Sequence, residues 1–181
     1  MITLYLIRHG EASAGWGEEK NPGLSDLGCR QAHAAADTLA ALGPLPIIAS
    51  PLKRCLETAQ IMADRWHVTP TIEDRVAEIP SPEGIADRSA WLHSIMQGNW
   101  REAGDWLQPW RQNMIDCVTA LKEDTVIHSH FVASNVIVGH AAGDDRVVYF
   151  QPDNCSITKL GLQDGRLSLL ELGRDRTTKI N

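Results

Sequence analysis

The sequence predicts a three-layer αβα sandwich around a mostly parallel sheet. Two observations carry this reading. Short apolar runs of strand length alternate with longer stretches whose apolar residues recur every three or four positions. The runs at 2–7, 46–49 and 126–129 are apolar on nearly every residue, as strands covered on both faces are.

The elements follow in order. Ile2 to Ile7 is the first strand, followed by a Gly-, Ser- and Glu-rich loop from Gly10 to Gly23. Ser25 is placed as an N-cap, and Gly28, Ala32, Ala35, Leu39 and Leu42 form a helical stripe that Gly43 and Pro44 stop. Pro46 to Ala49 is the second strand. Ser50-Pro51 then reads as N-cap plus N1 proline of a helix facing inward through Leu52, Cys55, Leu56, Ala59, Met62, Ala63 and Trp66. Thr71 to Glu73 is a brief third strand, and Pro80 and Pro82 keep the stretch from Asp74 irregular. Ile85 to Lys122 is helical in pattern and rich in tryptophan. Val126 to Ser129 is another strand, and Val132 to Val138 a helix ending near Gly139 or Gly143. Ser156–Leu162 and Leu167–Gly173 pair around Asp164-Gly165 as a hairpin, and the tail from Arg174 to Asn181 reads as loose.

A length of 181 residues, 43% hydrophobic and 22% charged, is enough for one core, so we expect a single domain over 1–181 with a short helical cap-like insertion at about 80–122. Seventeen Lys and Arg against 23 Asp and Glu leave a formal charge of −6. That balance argues against nucleic acid as a partner but allows a small anion in a locally basic pocket. Cys29, Cys55, Cys117 and Cys155 form no CxxC pair and no metal-ligand spacing, as expected of reduced thiols in a cytoplasmic protein. The first residues lack the order of a signal peptide, and no apolar run nears the ~20 residues of a membrane span, so no membrane is expected as partner. Oligomeric state is not legible.

In open sheets of this kind, ligands sit beyond the carboxyl ends of the strands. Three predicted strands end there in anion-handling residues: Arg8-His9, Ser50 with Lys53 and Arg54 beyond it, and His128-Ser129-His130. In Arg8-His9-Gly10-Glu11, a neutral imidazole offers a nucleophile and the guanidinium offers donors for phosphate oxygens. Taken alone, the tetrapeptide reads equally as a charged strand end with a glycine turn. Arg54 lies near a helix start that favours anions, while Lys53 reads as solvent-facing. Of His128 and His130, the second is placed for the site and the first for structure. A metal pair lacks a third ligand at characteristic spacing. Glu78, a lone carboxylate between apolar residues and prolines, suits a general acid, with Glu73, Asp74 and Glu83 as rivals and an exposed loop residue as the plainer reading. Trp91, Trp100, Trp106 and Trp110 read as packing residues, or in part as a wall over the site.

The order Arg8-His9-Gly10-Glu11, Leu24-Ser25-Asp26-Leu27-Gly28 with Gln31-Ala32, Ser50-Pro51-Leu52-Lys53-Arg54 with Glu57-Thr58-Ala59, Glu78 and Ser129-His130 resembles the histidine phosphatase superfamily, of phosphoglycerate mutase-like fold. The resemblance spans roughly residues 2–156. It implies a phosphomonoesterase acting on a small phosphorylated substrate. His9 becomes a phosphohistidine, Arg8, Arg54 and His130 hold the phosphoryl oxygens, and Glu78 protonates the leaving oxygen, with no metal or organic cofactor. The segment Asn154-Cys155-Ser156 resembles the family's return strand, and Ser156 is the substrate contact expected from it. The sequence departs from the family at Phe131, where glycine is usual, and in Ala12-Ser13-Ala14-Gly15-Trp16-Gly17, which lacks the Trp-Asn and Thr-Gly elements of the mutases. With the short insertion between Glu78 and His130, the altered loop favours a phosphatase over a mutase-type phosphotransferase. A phosphate-binding module without turnover is the third reading.

Overall fold

The computed structural model describes residues 1–15 and 19–175. Trp16 and Gly17 of the first loop, and the tail beyond Asp175, lie outside the described residues. The strands are β1 (Ile2–Arg8), β2 (Ile47–Ala49), β3 (Thr71–Ile72), β4 (Thr125–Ser129), β5 (Ile157–Gln163) and β6 (Arg166–Glu171). They form one sheet in the order β3-β2-β4-β1-β5-β6. The first four run parallel, and β5 and β6 are antiparallel additions. The hairpin turns at Asp164 and Gly165, both in the left-handed region, as a two-residue turn matched to strand twist requires.

Side-chain alternation along β1 divides the core. Leu4 and Leu6 face one layer with Ile127, Leu160 and residues of α4 (Gln108–Thr119) and α5 (Phe131–Ala142). Tyr5 and Ile7 face the other, with Val126, Ile47 and residues of α1 (Asp26–Leu39) and α2 (Lys53–Trp66). Each such Leu or Ile contributes about 1.5–3 kcal/mol by leaving water. α5 is apolar nearly all round and is buried from Phe131 to Gly139, as that pattern demands. Its one amide, Asn135, is fully satisfied. It donates to Phe131 O at 3.0 Å and accepts from Tyr149 N and Phe150 N at 2.8 and 3.0 Å.

The element boundaries differ from expectation in two places. The stretch 85–122 is not one helical run. It divides into α3 (Arg88–Met96), two single 3-10 turns at Trp100–Glu102 and Asp105–Leu107, and α4, with Gly104 at φ +98° between the turns. Trp100 is buried in the break and stacks near Trp110 and Arg111. Second, Ser50-Pro51 does not open α2. The helix begins at Lys53 with Leu52 in extended conformation at the cap, and the Ser50 hydroxyl accepts from His130 Nε2 at 2.7 Å and from Leu52 N at 3.4 Å.

Parallel β1, β2 and β4 end at one edge, and their ends bond to each other. His9 N donates to Ser129 O at 3.0 Å and Ser50 N to His128 O at 3.1 Å. His128 is fully buried one residue before that edge, and neither ring nitrogen has a hydrogen-bond partner among the described residues. Burial holds its pKa down from 6.5 to about 3. The unfolded chain therefore takes up this proton on acidification while the folded chain does not. Stability should fall by about 1.4 kcal/mol per pH unit from this group, beginning near 6.5 and ending near 3. Urea midpoints of His128→Leu should show a flatter decline over that window than the parent protein; an equal slope would refute the assignment.

Candidate active site

The C-terminal edge opens into a cavity of about 740 Å³ lined by, among others, Arg8, His9, Arg54, Glu78, Arg88 and Asn154. Its floor is the turn after β1. A methyl group on Gly10 would lie 2.5 Å from Gly28 O, and one on Gly28 would lie 2.1 Å from Glu11 O. The first turn of α1 thus packs backbone against backbone on the residues after His9, which only a glycine pair permits. Ser25 caps α1 by accepting from Gly28 N at 3.0 Å, and its hydroxyl donates to Glu11 Oε1 at 2.7 Å. From α2, Glu57 Oε2 accepts from Leu24 N at 2.6 Å, which fixes the far end of the first loop.

Tautomers follow from which groups can only donate or only accept. His9 Nδ1 lies 2.6 Å from Gly10 O, so that nitrogen carries the proton. Arg54 Nε donates to His9 Nε2 at 3.1 Å, so Nε2 carries a lone pair. Arg54 Nη2 likewise donates to His130 Nδ1 at 3.2 Å, and His130 Nε2 donates to Ser50 Oγ at 2.7 Å. The two imidazoles stand 5.2 Å apart, centre to centre. Burial, reinforced by the charges of Arg8 and Arg54, holds His9 well below its ordinary pKa. His130 is held down by burial, then by His9, Arg54 and Arg8. Both rings are therefore neutral at pH 7, and His9 presents an unprotonated Nε2 to the cavity side.

Arg8 is buried at the edge, donates to Pro152 O at 2.9 Å and stacks over the Phe131 ring at 5.3 Å. The ring at the position where glycine was expected therefore packs on a guanidinium. Glu78 sits at the start of α5. Its Oε1 accepts from Ile79 N and Ala133 N at 3.0 and 3.1 Å, and its Oε2 from Val132 N at 3.2 Å. The rival Glu73 is engaged by Arg75, which draws its pKa to about 2, and it does not line the cavity.

The structure thus gathers Arg8, His9, Arg54, Glu78 and His130 at one edge, with a qualification for His130. It is wholly buried behind His9 and Arg54 and does not line the cavity. Ser156 is corrected. Its side chain is buried and absent from the cavity wall, because the chain turns through Cys155 at φ +53° just before β5. Asn154 takes the wall position instead and donates to His9 O at 3.0 Å. The tryptophan wall is also corrected: Trp91 pairs with Trp106 and Trp100 with Trp110, and none of the four lines the cavity. Sequence reading missed Arg88, a third guanidinium on the wall, which sits in the first turn of α3 and donates to Ile79 O at 3.4 Å. Its signal was the N-cap Asp87 immediately before it. Among the described residues, no group of three His, Cys, Asp or Glu could hold a metal ion, and no helix is long and apolar enough to cross a membrane.

A family model for the histidine phosphatase superfamily (branch 1) matches residues 4–175. The chain belongs to this superfamily. An 84-residue stretch, 44% of the chain, is 37% identical to a Yersinia pestis protein named probable phosphoglycerate mutase, and the match spans only 39% of that relative. The fold is similar to that of a mycobacterial glucosyl-3-phosphoglycerate phosphatase, at TM-score 0.74 and 20% identity, covering 93% of this chain and 97% of that one. It is equally similar to a putative alpha-ribazole-5'-P phosphatase from Escherichia coli, at TM-score 0.77 and 18% identity, covering 96% and 98%.

Arg54 gives two hydrogen bonds to neutral rings that an anion would accept more strongly. Orthovanadate or inorganic phosphate should bind Arg54→Gln about 10- to 100-fold more weakly than the parent, the worth of one or two charge-assisted bonds. Titration calorimetry reads this directly, and equal affinity would show that the anion sits elsewhere.

Proposed function

We propose that the protein hydrolyses phosphomonoesters through a phosphohistidine on His9. The observation that carries this reading is the His9 tautomer: Nδ1 is protonated by its bond to Gly10 O, so Nε2 offers a lone pair beside two guanidiniums. A phosphate dianion entering the cavity accepts from Arg8 and draws Arg54 off Nε2, so binding of substrate uncovers the nucleophile. Nε2 attacks phosphorus in line, the N–P bond forms as the ester P–O bond breaks, and the arginines stabilise the charge on the equatorial oxygens. Glu78 is the proton donor to the leaving oxygen and then accepts a proton from the water that hydrolyses the phosphohistidine. His130 braces Arg54 from behind through Nδ1 and so positions its guanidinium toward the phosphoryl oxygens.

Turnover of an aryl phosphate should vanish in His9→Ala, along with acid-labile label trapped from a phosphorus-32 substrate; retained turnover would exclude the mechanism. Glu78→Gln should lose about 10²–10⁴-fold on alkyl phosphates, whose leaving oxygen needs the proton, and far less on 4-nitrophenyl phosphate. Because His9 stays neutral well below 6.5, kcat/KM should show no loss from imidazole protonation as pH falls through the ordinary imidazole range, once the titration of the substrate phosphate (pKa about 6) is divided out. A titration of His9 near 6.5, seen as a kcat/KM decline centred there and absent from no-substrate stability controls, would contradict the electrostatics.

A second reading is a phosphotransferase of mutase type, favoured by the name of the Yersinia relative. It requires the phosphohistidine to outlive product exchange. Dependence of turnover on a bisphosphate primer would select it over the hydrolase.

A further inference from the structure

Gly10 has no side chain, yet its carbonyl selects the His9 tautomer. Something must therefore fix the two peptide groups that flank it. In the first, between His9 and Gly10, the carbonyl accepts from Asn154 Nδ2 at 3.0 Å and the Gly10 N–H donates to Thr58 Oγ1 at 3.1 Å. In the second, between Gly10 and Glu11, the N–H donates to Gln31 Oε1 at 2.8 Å and the carbonyl accepts from the His9 ring at 2.6 Å. Both planes are held at both ends. The Thr58 proton is committed to Arg54 O at 2.7 Å, one helical turn back, so its oxygen faces Gly10 only as an acceptor. Thr58 is buried and lines no part of the cavity.

We propose that Gln31, Thr58 and Asn154, drawn from α1, α2 and the turn before β5, form a cradle that clamps the peptides around Gly10 and so positions His9 for attack. Gln31 and Thr58 are positioning residues. They touch neither substrate nor the attacking nitrogen, and they act through the Gly10 carbonyl. Without the cradle, rotation about the two glycine dihedrals carries that carbonyl away from Nδ1. Once a bound oxyanion has drawn Arg54 off Nε2, the ring proton is free to move there, which removes the nucleophilic lone pair. The cradle rests on the reading of His9 as nucleophile, but its effect on the ring is separate from turnover.

The test is Thr58→Val, which keeps shape and removes the acceptor, with Thr58→Ser as the restoring variant. Long-range proton–nitrogen correlation spectra of the histidine rings, recorded with inorganic phosphate at saturation so that Arg54 no longer holds Nε2, report the tautomer directly. The parent should show His9 protonated at Nδ1 alone. Thr58→Val should show a mixture, with kcat on 4-nitrophenyl phosphate lowered about 10²-fold and KM moved much less. Thr58→Ser should restore both. A folded Thr58→Val with the parental tautomer or the parental kcat overturns the proposal. If that variant does not fold, Gln31→Met releases the second peptide from a half-buried position and must show the same mixing; a parental spectrum there overturns it equally. Should His9→Ala prove fully active, the phosphohistidine reading fails, while the ring spectra still decide whether the cradle exists.

Discussion

One guanidinium bridging two uncharged imidazoles is the contact on which the rest of the site depends. Arg54 reaches His9 through Nε and His130 through Nη2. It can do so only because each ring turns an acceptor nitrogen toward it. That in turn is set on the far side of each ring: by a peptide carbonyl for His9 and by the Ser50 hydroxyl for His130. If either ring flipped its proton, Arg54 would meet N–H with N–H. The arrangement is a buried polar network in which every member named here is satisfied, the condition under which such networks confer rigidity rather than cost.

The network also explains why a chain with a formal charge of −6 can receive an anion. Three guanidiniums, Arg8, Arg54 and Arg88, line the one cavity, and the neutral rings add donors and acceptors without adding charge. Burial works against Arg54's own charge, and Arg88 acts in the same direction. An oxyanion between Arg54 and Arg88 sets a negative charge against both effects.

Much of this was legible in the residues. The alternation of apolar runs with helical stripes gave the sandwich, and strand ends carrying Arg8-His9, Ser50 and His130 located the edge where they converge. Two errors had physical causes. A serine before a proline carries a strong local cap signal, but the Ser50 hydroxyl answers to a histidine eighty positions away, and local propensity cannot see that bond. Ser156 followed from the likeness of 154–158 to the family's return strand, which does not show that Cys155 is left-handed. Asn154 before it lines the cavity, and Ser156 after it is buried. Arg88 was hidden by a stretch whose tryptophans and apolar residues all argue for packing. His130 was found, though its depth behind Arg54 was not.

The interlocked glycines of the first turn have a consequence for how this sequence can drift. Gly10 leaves room for the backbone of Gly28, and Gly28 for the backbone of Glu11. Enlarging one is therefore not offset by any change at the second, since glycine has nothing left to shed. The pair forms a dead end in sequence space: a lineage that keeps this turn must inherit both positions together.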